Sequence, residues 1–126
     1  MKTIVLGVLL LACAHTAQAQ QSTLTVDKKL AAAGKTVFAA KGCNACHTIG
    51  KGALVGPDLN GVLARRSQGW IERWLADPPA MLESDSTARL LRKDYSINMP
   101  NLGLKPEEIR ALMHYIAAQS KTAPKQ

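Results

Sequence analysis

The sequence predicts an all-α domain, and three observations support that class. Apolar residues recur at helical spacing in three segments, a capping residue precedes two of them, and no segment alternates apolar and polar residues as a half-buried strand would. A chain of 126 residues has room for one small domain. Only five aromatic residues are present, so the composition leaves space for a large buried cofactor.

The first predicted helix follows Asp27, a residue type that caps helices. Behind this residue, apolar or small side chains fall at one helical face, namely Leu30, Ala33, Gly34, Val37 and Phe38. The stretch 42–60 contains four glycines and Pro57, which predicts an irregular loop with at most a short turn at Cys46-His47. Loops of this length usually carry a function.

Ser67 is expected to cap a middle helix. One face of this helix carries Trp70, Ile71, Trp74 and Leu75. Asp77-Pro78-Pro79 is expected to stop it, because a proline disfavours helical backbone in the residue before it.

A short helix is predicted from about Asp85 to Lys93, with Leu90 and Leu91 facing inward, and a loop over 98–103. The last helix has Pro106 in its first turn, followed by two glutamates that favour its positive end. Its buried stripe is expected to consist of Ile109, Leu112, Met113 and Ile116.

Residues 1–19 are predicted to be a signal peptide that is removed. Lys2 is followed by an apolar run, and Ala17-Gln18-Ala19 is a small-x-small cleavage site. The run is shorter than the roughly 20 residues that span a bilayer, so no transmembrane segment is expected. Residues 20–126 would then form a single periplasmic domain with loose ends at 20–26 and 121–126. An alternative leaves Cys13 lipidated as a new N-terminus.

The mature chain is basic. Without Lys2, 15 Lys and Arg stand against 9 Asp and Glu, a formal charge of +6. An exported protein rarely meets nucleic acid, so acidic protein partners are the better interpretation of this charge.

Cys43-Asn44-Ala45-Cys46-His47 is the attachment pattern of a c-type haem. Two thiols add to the haem vinyl groups, and the adjacent imidazole is held against the iron. A zinc site, a thioredoxin-like disulfide and a structural disulfide are weaker explanations. Zinc would need further ligands, a thioredoxin-like motif wants a βαβ setting, and neither disulfide explains His47.

The residue on the other side of the iron decides the function. Met99 lies in a loop before Pro100, where the backbone can deliver a thioether to the iron, and His/Met ligation suits an electron carrier. Met81, His114 or an open position remain as alternatives, and Met99 could instead fill a gap in the core.

The chain resembles the class I monohaem cytochromes c from about Leu30 to Gln119. The resemblance rests on the two terminal helices and, between them, on three motifs at 43–47, 56–61 and 98–100. It implies the small cytochrome c fold, in which the N- and C-terminal helices cross and three to five helices surround one covalently attached haem c. The segment 78–97 is longer than a minimal member needs. A set of residues between Trp74 and Leu104 resembles cytochrome modules associated with copper-containing respiratory oxidases and reductases.

The resemblance also implies roles for the cavity residues. At Gly34 and Phe38 the first helix would cross the last helix, near Tyr115. Pro57 would accept a hydrogen bond from the His47 ring, and Leu59 would pack on the haem face. Arg65, or Arg66 in its place, and one of Trp70 or Trp74 would bind a propionate, although a solvated charge and simple core packing explain these residues equally well.

The function that follows is a soluble one-electron carrier rather than an enzyme. Lys41, Lys51 and Lys105 would steer acidic redox partners, or would merely be a solvated surface. The alternatives are a haem subunit of a multi-subunit respiratory enzyme and, with an open iron, a haem enzyme or gas sensor.

Overall fold

The computed structural model describes residues 24–121, and within that range every regular element is helical. The all-α prediction is confirmed. The predicted signal peptide, Cys13, residues 20–23 and residues 122–126 lie outside the described range. The elements in chain order are α1 (Lys28–Ala40), a 3₁₀ turn (Cys43–Ala45), α2 (Val62–Arg65), α3 (Gln68–Ala76), α4 (Pro78–Ser84), α5 (Ser86–Arg92) and α6 (Pro106–Gln119). Two short helices, α2 and α4, raise the helix count in this range above the three to five expected.

Helix α1 begins at the predicted cap. The Asp27 carboxylate accepts hydrogen bonds from the backbone N–H groups of Lys29 at 2.8 Å and Leu30 at 2.9 Å. These bonds satisfy two of the amides that a helix start leaves without an internal partner. The backbone N–H of Asp27 donates to Nδ1 of the buried His114 at 3.0 Å, which fixes the start of α1 against α6.

The terminal helices α1 and α6 cross as expected, at Gly34. A β-carbon at this position would lie 2.0 Å from the Ala111 carbonyl oxygen and 2.7 Å from Cβ of Tyr115. Only glycine therefore permits this approach. Next to the crossing, the Phe38 and Tyr115 rings pack with their centroids 5.4 Å apart. This pair covers one edge of the core with apolar surface.

Helices α3, α4 and α5 follow one another with a single residue at each junction. Asp77 ends α3 and caps α4 by accepting from the Ala80 N–H, and Asp85 ends α4 and caps α5 by accepting from the Ala88 N–H. The two prolines do stop α3, as predicted, but they also begin α4, because the first helical turn needs no N–H donor.

The inward direction predicted for Leu90 is wrong. This side chain is 59% exposed, whereas Leu91 is half-buried and lines the internal cavity. Helix α5 has only seven residues, so its inward face is narrow and one of two adjacent leucines must point outward.

Helix α6 supplies much of the core. Its buried residues include the whole predicted stripe together with Ala111 and His114. At its end, the Ser120 hydroxyl accepts from the Gly61 N–H at 3.0 Å, and the Lys121 N–H donates to Oδ1 of Asn60 at 2.9 Å. The end of α6 is thus tied to the loop before α2. None of the helices within 24–121 is long and apolar enough to cross a membrane.

Candidate cofactor site

One largely apolar cavity lies between the loop 43–59, helix α3 and the loop 95–100. All nine residues predicted to bind a cofactor line it, namely Cys43, Cys46, His47, Pro57, Leu59, Arg65, Trp70, Trp74 and Met99. Arg66, the alternative to Arg65, lines it as well. The fold thus brings together residues that are up to 56 positions apart in the sequence.

The two cysteines stand on one short turn. Gly42, at φ 71°, reverses the chain after α1, and the 3₁₀ turn that follows is closed by the Cys46 N–H donating to the Cys43 carbonyl at 3.2 Å. Both thiols are unpaired and half-buried. Burial raises the pKa of the Cys43 thiol, and the neighbouring Cys46 adds to the rise. The turn therefore presents two unpaired thiols to the same cavity.

His47 is held by its neighbours in the loop. Its Nδ1 lies 2.9 Å from the Pro57 carbonyl oxygen, which can only accept, so Nδ1 carries the proton and Nε2 keeps its lone pair. A β-carbon at position 56 would lie 2.6 Å from Cε1 and 3.0 Å from Nδ1 of this ring, so Gly56 makes room for the imidazole. The ring is set up to give Nε2 to a metal.

Asp58 organises the loop on which His47 depends. Its carboxylate accepts backbone N–H groups from Gly50 at 2.7 Å, Gly52 at 2.7 Å and Asn60 at 2.8 Å. These hydrogen bonds, led by that of Gly50, lower the pKa of the carboxyl group. Arg65 braces the same loop by donating to the Asn60 carbonyl at 2.6 Å. No role was predicted for Asp58 or Gly56, although both stand in the 56–61 motif.

Met99 is the methionine that the fold brings to the cavity. Met81 is 6% exposed and Met113 is 2% exposed, and both are buried away from the cavity lining. His114 is also absent from the lining, and its Nδ1 is engaged by the N–H of Asp27. The geometry therefore favours Met99 over the other three residues as a second ligand from the protein.

The indole N–H groups of the two tryptophans differ in their partners. Nε1 of Trp74 donates to Sδ of Met99 at 3.2 Å. Nε1 of Trp70 is buried and has no acceptor within hydrogen-bonding distance and angle. It does approach Asp85, whose pKa is lowered mainly by the Ala88 N–H and further by Trp70. A buried unpaired donor is costly, so Trp70 is the better candidate to meet a polar group of a ligand.

These residues fit a covalently attached haem. The cavity offers two free thiols one turn apart, an imidazole with a free Nε2, a thioether, mainly apolar walls and an unpaired buried donor. These features match the requirements of haem c, which needs two thioether links, axial ligands, an apolar environment and hydrogen-bond partners for its propionates.

The comparisons with known proteins agree with this fit. A cytochrome c from Rhodothermus marinus is 27% identical, with 82% of this chain and 89% of that chain covered and a TM-score of 0.72. An engineered form of that cytochrome, bound to a carbene intermediate, is 26% identical over 78% of this chain and 83% of its own, with a TM-score of 0.67. A cytochrome c domain from Pseudomonas putida is 38% identical over 66% of this chain and 83% of its own, with a TM-score of 0.58.

No curated protein matches the chain. Residues 31–120, which are most of its length, match the family described as Cytochrome c. The helical architecture and the cavity that contains Cys43, Cys46 and His47 agree with that match. The chain belongs to the cytochrome c family, among its class I monohaem members, which bind haem c covalently and transfer electrons.

Proposed function

We propose that this chain is a periplasmic one-electron carrier with haem c attached to Cys43 and Cys46 and with His47 and Met99 as axial ligands. The observation that carries the proposal is that His47 and Met99 line one cavity and that each side chain is held by a hydrogen bond, His47 through Nδ1 to the Pro57 carbonyl and Met99 through Sδ from the Trp74 N–H. Ligands held in this way move little when the iron changes oxidation state. When bound, haem c supplies a one-electron couple.

The remaining cavity residues have supporting roles. The Pro57 carbonyl fixes the His47 tautomer, and Leu59 packs on the haem face. Trp70 donates to a propionate, while Trp74 is occupied by Met99. Arg65 donates to the Asn60 and Asp58 carbonyls, so it serves the loop first and a propionate only through its remaining N–H groups.

Export is part of the proposal, because the predicted signal peptide at 1–19 delivers the chain to the compartment where haem of this type is attached. The partners are redox proteins with acidic docking surfaces, matched to the basic mature chain. Lys41 contributes little to such docking, since its Nζ lies 3.6 Å from the Glu108 carboxylate. Lys51 and Lys105 are exposed and remain as steering charges.

A second candidate is a haem subunit of a multi-subunit respiratory enzyme. Leu54, Val55 and Ile97 are 56%, 41% and 65% exposed, and the last two stand at the rim of the cavity. Apolar side chains at this rim would suit a permanent subunit contact. Co-purification of a larger chain after extraction without detergent would favour this candidate over the free carrier.

The visible spectrum of the matured protein tests the proposal. A closed His/Met iron predicts a low-spin spectrum with the weak Met-to-ferric band and no response of the reduced form to carbon monoxide. His47→Ala should abolish the stable low-spin haem. Met99→Ala should admit carbon monoxide and lower the potential, whereas Met81→Ala, the matched control, should do neither. If the iron of the wild-type protein bound carbon monoxide, the electron-carrier proposal would be wrong, and the haem would be a ligand-binding or catalytic one.

A further inference from the structure

Trp74 is the candidate for a residue that controls the bond between Met99 and the iron. Its indole N–H is a donor only, and it lies 3.2 Å from Sδ of Met99. A thioether sulfur has two lone pairs, so it can accept this N–H with one and bind a metal with the other. The contact is therefore compatible with the proposed ligation, on which the inference rests.

The position of Trp74 is fixed from the side of α3. Its ring stacks on that of Trp70 with centroids 5.6 Å apart and an interplanar angle of 6°. The Arg66 guanidinium lies over the Trp70 ring, 5.6 Å from its centroid. Cation–π and stacking contacts restrict both indoles, so the N–H of Trp74 keeps its direction without help from Met99.

The residue before Met99 is fixed from the side of α5. The Arg92 Nε donates to Oδ1 of Asn98 at 2.7 Å. The loop 98–100 is thus held by a side chain of α5 at Asn98 and by a side chain of α3 at Met99. Because the loop is held at Asn98 and the sulfur of Met99 is held by Trp74, this sulfur has little freedom to leave the iron or to invert its configuration.

We propose that Trp74 is a positioning residue that selects the Met99 lone pair offered to the iron and raises the reduction potential. A hydrogen bond to sulfur withdraws electron density from it, which weakens its donation to ferric iron more than to ferrous iron. The reduced state is favoured as a result. Hydrogen bonds to metal-bound sulfur are a recognised means by which proteins tune a potential.

The test is a double-mutant cycle on the haem-loaded protein. Trp74→Phe keeps an aromatic ring and removes the N–H. It should reduce the equilibrium constant for reduction about threefold, which is about 28 mV for a one-electron couple. It should also move the Met-to-ferric band. In a Met99→Ala background, the same Trp74→Phe change should leave the potential unchanged, because the sulfur through which it acts is gone.

A second variant separates the N–H from the packing. Trp74 is replaced by β-(3-benzothienyl)alanine, which keeps the bicyclic ring and has sulfur in place of N–H. The expected result is the same shift as Trp74→Phe at an unchanged melting temperature. An equal shift in both backgrounds, or a wild-type potential with the isostere, would overturn the role of Trp74 and leave the ligation intact. A Met99→Ala protein that remains closed to carbon monoxide would remove the ligation itself, and this inference with it.

Discussion

The backbone of Gly34 lies against the backbone of Ala111, so close that a β-carbon on Gly34 would stand 2.0 Å from the Ala111 carbonyl oxygen. Gly34→Ala must therefore separate α1 from α6. We expect it to lower the free energy of unfolding by about 3 kcal/mol, at the upper end of overpacking costs. Urea unfolding of the haem-loaded protein measures this change.

Gly69→Ala is the matched control for that substitution. Gly69 lies in α3, and a β-carbon there would meet only Nη1 of Arg73 at an ordinary 3.9 Å. The expected change is a gain of about 0.5 kcal/mol, because alanine favours a helix more than glycine does. Equal effects at the two positions would contradict the close crossing.

Gly56→Ala should disturb the His47 ring without straining the backbone. The new β-carbon would lie 2.6 Å from Cε1 of His47, so the ring must turn and lose its hydrogen bond to the Pro57 carbonyl. Loss of such an outer contact typically weakens a metal ligand about tenfold or more. The checks are the low-spin fraction in the visible spectrum and the reduction potential. A wild-type result in both would show that the ring does not depend on this space.

Asp58→Asn tests the loop that carries Pro57. At neutral pH the variant should lose about 1 kcal/mol of unfolding free energy, because a charged acceptor of three amides is replaced by a neutral one. The control is Asp94→Asn, an exposed carboxylate that should change stability by less than about 0.5 kcal/mol.

The stability difference between the wild type and Asp58→Asn is expected to depend on pH. The folded-state pKa of Asp58 is lowered from the ordinary value of 3.8, so its contribution is fully present above that value. The contribution is lost as the pH falls through the lower folded-state pKa. The stability gap between wild type and Asp58→Asn should narrow over that acidic range. A gap that is constant with pH would mean that the negative charge of Asp58 has no role.

Leu90→Gln and Leu91→Gln should differ sharply. Leu90 is 59% exposed, and its replacement should change the unfolding free energy by less than about 0.5 kcal/mol. Leu91 lines the cavity, and its replacement should cost about 2 kcal/mol of lost apolar burial. Denaturant unfolding of the two variants under identical conditions gives the comparison. A larger loss at Leu90 would contradict the described orientation of α5.

Local signals predicted a large part of this fold. Asp27 and Ser67 act as the caps that their positions indicated, and the stripe on α6 is buried as its spacing predicts. Such features depend on neighbours within one or two turns, which a single sequence contains. The candidate site residues were found because Cys43, Cys46 and His47 form a compact motif and because Met99 stands beside a proline.

Other features depend on contacts that form only on folding. The Gly50 and Gly52 amides reach Asp58 because the loop closes, and the indole of Trp74 reaches a sulfur 25 positions away.

Helix α4 was missed for a different reason. A pair of prolines is both a stop signal for one helix and an acceptable start for the next, and the sequence pattern alone does not separate these two roles.

The single-residue junctions at Asp77 and Asp85 also govern how this chain tolerates changes in length. Each residue in a helix turns the chain by about 100°. One residue inserted within α4 would therefore rotate the following chain about the α4 axis, and this rotation would move α5, with Arg92 and the Met99 loop, away from the cavity. An insertion between α5 and Asn98 would cause no such rotation, because that segment is not helical and can accommodate the extra residue by a local change of the loop. Related chains should accordingly vary in length after α5 and keep a constant count from Ser67 to Arg92.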